Sequence, residues 1–238
     1  MAHSPIIISI VLATVLFSCK KDIIGDGPVT TETRTVQNFT SIELQMNGNV
    51  YYRNNPEWKL EIAARESIHD MLETNVINGN LVIRYYNGKT YDNDESIRIM
   101  VSGPDVNNFI TTTSGNIIGE NEIVASNVGL RSSGSGNISI SKVTATSLEA
   151  QSNQSGRVTV GAGSVNTENL KSAGSGTVDM RYVQAKYASA YTKGSGDIRV
   201  SVSEKLEAKI YGSGWVLYYG RPAVSSTILG SGKVERAD

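Results

Sequence analysis

With one cysteine, two histidines and three phenylalanines in 238 residues, the chain has few routes to a stapled or catalytic architecture. The single cysteine, Cys19, excludes an intrachain disulfide, so the fold must hold by packing alone. Of the histidines, His3 lies at the extreme N-terminus, which leaves His69 as the sole candidate base for a Ser/His/Asp arrangement. Neither sign of charge dominates: 22 Lys and Arg against 23 Asp and Glu give a net charge of -1, which favours neither a nucleic acid nor another polyanion as partner. Residues 6–17 form a run of 12, apolar apart from Ser9 and Thr14, and fall short of the roughly 20 residues that span a bilayer as a helix.

Glycine is abundant, with 23 residues, and much of it sits in one repeated phrase. The second glycine of that phrase falls at Gly115, Gly136, Gly156, Gly176, Gly196, Gly214 and Gly232, in steps of 21, 20, 20, 20, 18 and 18 residues. A serine precedes each one. Two positions after it stand Ile117, Ile138, Val158, Val178, Ile198, Val216 and Val234, and four after it Ile140, Val160, Met180, Val200 and Tyr218, with mostly polar residues between. Six before it come Leu130, Ala150, Leu170, Ala190 and Ala208, and eight before it Leu148, Ala188, Leu206 and Val224.

Apolar residues at every second position indicate strands, whereas helical repeats would need spacings of three and four and far less glycine. Each repeat is expected to carry two short strands joined through a G-S-G corner. Stacked about 4.8 Å apart, such repeats make an all-β parallel β-solenoid with about 20 residues per coil. The corner glycines Gly134, Gly174, Gly194, Gly212 and Gly230 predict a sharp bend through positive φ, while Gln154 replaces the first glycine in one coil.

Residues 1–18 read as a signal peptide, although positions 1–5 contain no Lys or Arg. Leu16, Phe17, Ser18 and Cys19 resemble a bacterial lipobox, in which the cysteine becomes the lipidated first residue of the mature chain. An ordinary cleaved signal with Cys19 incidental is the alternative, and either form exports the protein. Residues 19–35, rich in glycine and threonine, read as a tether. The less regular region 36–110, with turns at Asn47-Gly48, Asn54-Asn55-Pro56 and Asn78-Gly79, is expected to be β structure that begins and caps the stack, with one helical turn within 64–72. The regular repeats occupy 111–238.

The enzyme candidates are thin. His69 beside Asp70 is better read as a solvated or capping residue than as a base, and serines needed at every coil serve the turn rather than nucleophilic attack. Asp92, Asn93, Asp94 and Glu95 gather three carboxylates, but Ile97 stands where a helix-loop-helix calcium loop requires glycine. Asp179 and Asp197 lie in adjacent coils but in different columns, with Arg199 near both, a trio that a structural ion pair explains as well as chemistry does. No cofactor or metal is expected. Trp215 occupies the otherwise polar column after the corner glycine, and Leu217 and Tyr219 continue the same outward face, either as a contact face or as core beneath a cap.

The order of features becomes specific when read together: an F-x-x-I opening at 39–42, N-G-N-V from Asn47, N-G-N-L from Asn78, serial G-S-G corners, and Tyr219-Gly220-Arg221-Pro222 before the last corner. Over residues 36–236 this resembles the head GIN domain family of auto-transporter adhesins, small exported lipoproteins of Bacteroidetes. The resemblance implies a right-handed parallel β-helix and an adhesive role at the outer membrane, and supplies no catalytic residues. The expected function is therefore a non-enzymatic, lipid-anchored surface or periplasmic adhesion module with a protein or glycan partner. The alternatives are a glycan-binding lipoprotein and, further off, a β-helix polysaccharide lyase or hydrolase.

Overall fold

The structure, a computed structural model, describes residues 25–86 and 97–237. Its elements in chain order are β1 (Val29–Arg34), β2 (Ser41–Leu44), β3 (Asn49–Asn54), β4 (Lys59–Arg65), α1 (Glu66–His69), β5 (Leu72–Ile77), β6 (Asn80–Tyr85), β7 (Arg98–Gly103) and β8 (Asn108–Thr111). There follow β9 (Asn116–Ser132), β10 (Ile138–Ser152), β11 (Arg157–Val160), β12 (Gly163–Ser172), β13 (Thr177–Thr192), β14 (Ile198–Ile210), β15 (Val216–Tyr219), β16 (Ala223–Ile228) and β17 (Val234–Arg236). The chain is a β-solenoid of about 6 coils, about 20 residues apart.

The β-branched column is one continuous parallel ladder. Ile117, Ile138, Val158, Val178, Ile198, Val216 and Val234 pair in register from coil to coil. The same ladder runs on to Val50 and Ile99 in the irregular region, two rungs that the repeat phrase does not mark. All except Val234, on the terminal strand, are fully buried. Branched side chains fit this arrangement because each packs on its copy above and below across a pleated surface.

A full coil has three paired stretches rather than two. Between β9 and β10 the register holds over Ile138–Ile140, again over Lys142–Ala145 and again over Ser147–Ser152. The middle stretch escaped the two-strand expectation because its residues, Lys142, Val143, Thr144 and Ala145, place only Val143 fully in the core.

The corner glycines serve a purpose other than the expected one. Positive φ occurs at Gly27, Gly48, Gly79, Gly163 and Gly220, none of them in a G-S-G corner. What the corners require is the absence of a side chain along the stacking direction. A Cβ on Gly136 would strike the carbonyl oxygen of Gly115, and the same collision recurs at Gly156, Gly176, Gly196, Gly214 and Gly232 with the glycine one coil below. Close backbone stacking, not turn handedness, selects glycine there.

A second column sits beside these glycines. Thr111, Ser132, Ser152, Ser172 and Thr192 are fully buried, and each hydroxyl donates to the carbonyl oxygen of the corner glycine four residues on, at 2.8, 2.6, 2.6, 2.8 and 2.9 Å. Each coil thereby satisfies a carbonyl that would otherwise lack a partner inside the corner. The serines of the corner itself, Ser114 through Ser231, are all exposed.

The first coils are laid down out of order. β2 lies between β6 and β8, and β3 lies between β7 and β9. The chain builds β2–β3, moves outward to form β6–β7, then returns across the first coil to continue with β8–β9. Antiparallel strands finish that end: β4 pairs with β7 and β1, and β5 with β6. Asn78 and Gly79, with φ of 51 and 74, form the two-residue turn of the β5–β6 hairpin. Large aromatics fill this end where the repeats use aliphatics. The Phe39 and Trp58 rings lie 4.4 Å apart, the Tyr52 and Phe109 rings 5.2 Å apart, and the buried Tyr52 hydroxyl donates to Gly103 O at 2.8 Å.

Candidate functional site

At the other end, β15 carries the aromatic anomaly read from the sequence. Val216 fills the core ladder and is fully buried; Leu217, Tyr218 and Tyr219 are half-buried, and Trp215 is 40% exposed. The Trp215 backbone N–H donates to Asp197 Oδ1 at 2.9 Å, and the Lys233 ammonium lies 5.3 Å from the indole centroid. Leu217 sits in register between Arg199 and Glu235, and Tyr219 faces Ser201. Trp215, Leu217 and Tyr219 thus lie on one face of β15, which is paired with β14 on one side and β17 on the other, and Trp215 is the most accessible of the three.

Beside it lies an ion cluster. Asp179, 9% exposed, accepts from Arg181 Nε at 2.9 Å and from Arg199 at 3.3 Å. Burial pushes the Asp179 carboxyl upward, but the bonds and charges of Arg181, with Arg199 behind, outweigh it and hold the group below its ordinary range. Asp179 in turn raises Arg181. Of the trio weighed from sequence, Asp179 and Arg199 meet; Asp197 instead caps Trp215, and Arg181, two residues along β13 from Asp179, supplies the stronger partner. The assembly is a satisfied ion pair that fixes the flank of β15.

His69 is buried, not solvated. It is 8% exposed, with Nε2 at 3.1 Å from Thr30 Oγ1 and Nδ1 at 3.2 Å from Glu32 Oε2, so it ties α1 to β1. The Asp92 to Glu95 loop and Cys19 lie outside the described residues. Among the described residues no three His, Cys, Asp or Glu side chains converge on a metal position, and no helix is long and apolar enough to cross a membrane.

One residue with unusual chemistry was passed over in the sequence although its column was visible. Eight before Gly176, where other coils place Leu148, Ala188 and Leu206, stands Glu168. It is 3% exposed, neither carboxylate oxygen has a hydrogen-bond partner, and burial pushes its carboxyl well above the usual range.

Residues 38–222 match the profile of the family described as "Putative auto-transporter adhesin, head GIN domain". A crystal structure of a putative adhesin from Bacteroides fragilis is 24% identical with a TM-score of 0.84, covering 90% of this chain and 100% of that one. A putative lipid binding protein from Parabacteroides distasonis is 26% identical, TM-score 0.73, over 92% of this chain and 100% of that one. A putative adhesin from Parabacteroides merdae shares the fold at 18% identity, TM-score 0.72, over 91% and 99% of the two chains. No curated protein matches the chain. A profile match that runs from the first coil to the end of β15 shows that the chain belongs to the head GIN domain family.

Proposed function

We propose that the protein is a non-enzymatic adhesion module of the cell envelope, exported and tethered through a lipid on Cys19, that contacts a protein partner through Trp215, Leu217 and Tyr219. The observation that carries this reading is Trp215: a large aromatic held 40% exposed by a backbone bond to Asp197, in a column where other coils carry polar residues. Rigid aromatics framed by charge are the usual anchors of interfaces.

Two experiments test it. Trp215→Ala with Tyr219→Ala should abolish adhesion of the full chain to intact cells with the melting temperature nearly unchanged; unfolding with no separable adhesion defect would sink the contact face. Cys19→Ser should leave the protein unprocessed or soluble, and a variant that still partitions into membranes after signal cleavage would sink the anchor. Binding of a glycan in place of a protein would favour the glycan-binding alternative.

A further inference from the structure

At the end of the stack remote from β15, the outer face of β4, β7, β3 and β9 forms a groove of about 460 Å3. Strand register builds its floor: Glu61 faces Met100, Met100 faces Tyr51, and Tyr51 faces Ile118. The adjoining row runs Lys59, Ser102, Arg53. Arg53 reaches onward to Glu120 with bonds of 3.0 and 3.2 Å, and the Lys59 ammonium lies 2.9 Å from Glu61. Both carboxylates of the groove thus already hold a cation.

The third cation does not. Among the described residues Arg98 has no ion pair; its guanidinium, exposed to solvent, lies over the Tyr51 ring at 4.3 Å from the centroid. The groove therefore combines an apolar strip of Met100 and Tyr51, a polar row whose charges cancel, and one positive charge that has no ion pair among the described residues.

We propose that this groove binds a sugar acid, a hexuronate or a short oligomer of one. The C–H face of a pyranose packs on an apolar strip, its hydroxyls bridge paired carboxylate and guanidinium groups, and its carboxylate takes the free edge of Arg98 while the guanidinium stays on the ring. Among the described residues a neutral sugar would leave Arg98 without a counter-charge. Tyr51, Met100 and Arg98 hold the ligand. The site shares no strand with Trp215, so it stands or falls independently of that contact.

The test is calorimetric titration of the full chain with D-galacturonic acid, its trimer and neutral D-galactose. The expected result is binding of the acid and trimer, galactose weaker by about tenfold or more, and attenuation by salt. Arg98→Gln should lose about tenfold in affinity with unchanged melting temperature, Arg98→Lys should retain part of it, Met100→Glu should abolish it, and Trp215→Ala should leave it intact. Absence of binding by either acid, equal binding of galactose, or an Arg98→Gln variant that binds as the parent does would each overturn the proposal.

Discussion

Ala188 stacks directly on Glu168, so the smallest side chain of that inward column covers the one carboxyl group within it. Leu148 lies on the other side, and neither neighbour offers a hydrogen bond. Small above and polar below is a compensated pair: Ala188 yields the volume that a longer polar chain needs.

The carboxyl is raised by burial, so the folded state holds a proton that the unfolded chain releases above its ordinary value of 4.5. Stability should therefore fall as pH rises from there through the raised folded value. Glu168→Gln should flatten that slope, and Glu168→Leu should stabilise by about 1–3 kcal/mol by removing a buried polar group without a partner. Melting temperatures from about pH 5 to about pH 8 decide it; a parent protein whose stability is flat or rises with pH would count against a protonated Glu168.

The ladder makes a graded prediction. Val178→Asp places an unpaired charge between Val158 and Ile198 and should cost about 3 kcal/mol or more, whereas Val234→Asp on the half-exposed last strand should cost under about 1 kcal/mol. Urea titration of the two variants, read by circular dichroism, should separate them clearly.

Buried and exposed serines should differ as sharply. Ser152→Val leaves Gly156 O without its 2.6 Å donor and should cost about 1–3 kcal/mol. The exposed corner residue Ser155→Ala should fall within about 0.5 kcal/mol of the parent. Equal costs would mean that the buried hydroxyl column contributes nothing particular.

For the corner itself, Gly176→Ala drives a methyl group into Gly156 O and Ser152 Oγ, and a loss of about 1–3 kcal/mol is expected. A Gly176→Ala variant as stable as the parent would sink the stacking explanation.

The regular coils were legible because period-2 patterning repeats over seven copies, and each Ile or Val reports the same environment. The hydroxyl column was not, since Ser152 and Thr192 look like any polar residue until their acceptors, Gly156 O and Gly196 O, are placed four residues on. Glu168 stood in a readable column yet contradicted it, and a chemical exception reads as noise when the pattern alone is sought. The groove at Tyr51 and Arg98 was beyond reach because β4 and β7 pair antiparallel across a register that no local motif specifies.

The out-of-order first coils bear on how the molecule yields to tension. A load applied at the N-terminal side meets β1, which peels from β4 one bond pair at a time. It next meets β2, gripped along both edges by β6 and β8, so further extension has to shear two ladders at once instead of unzipping one. The coil nearest the load is thus the one locked from both sides, and a pull from that end stalls there while the uniform coils behind it remain closed.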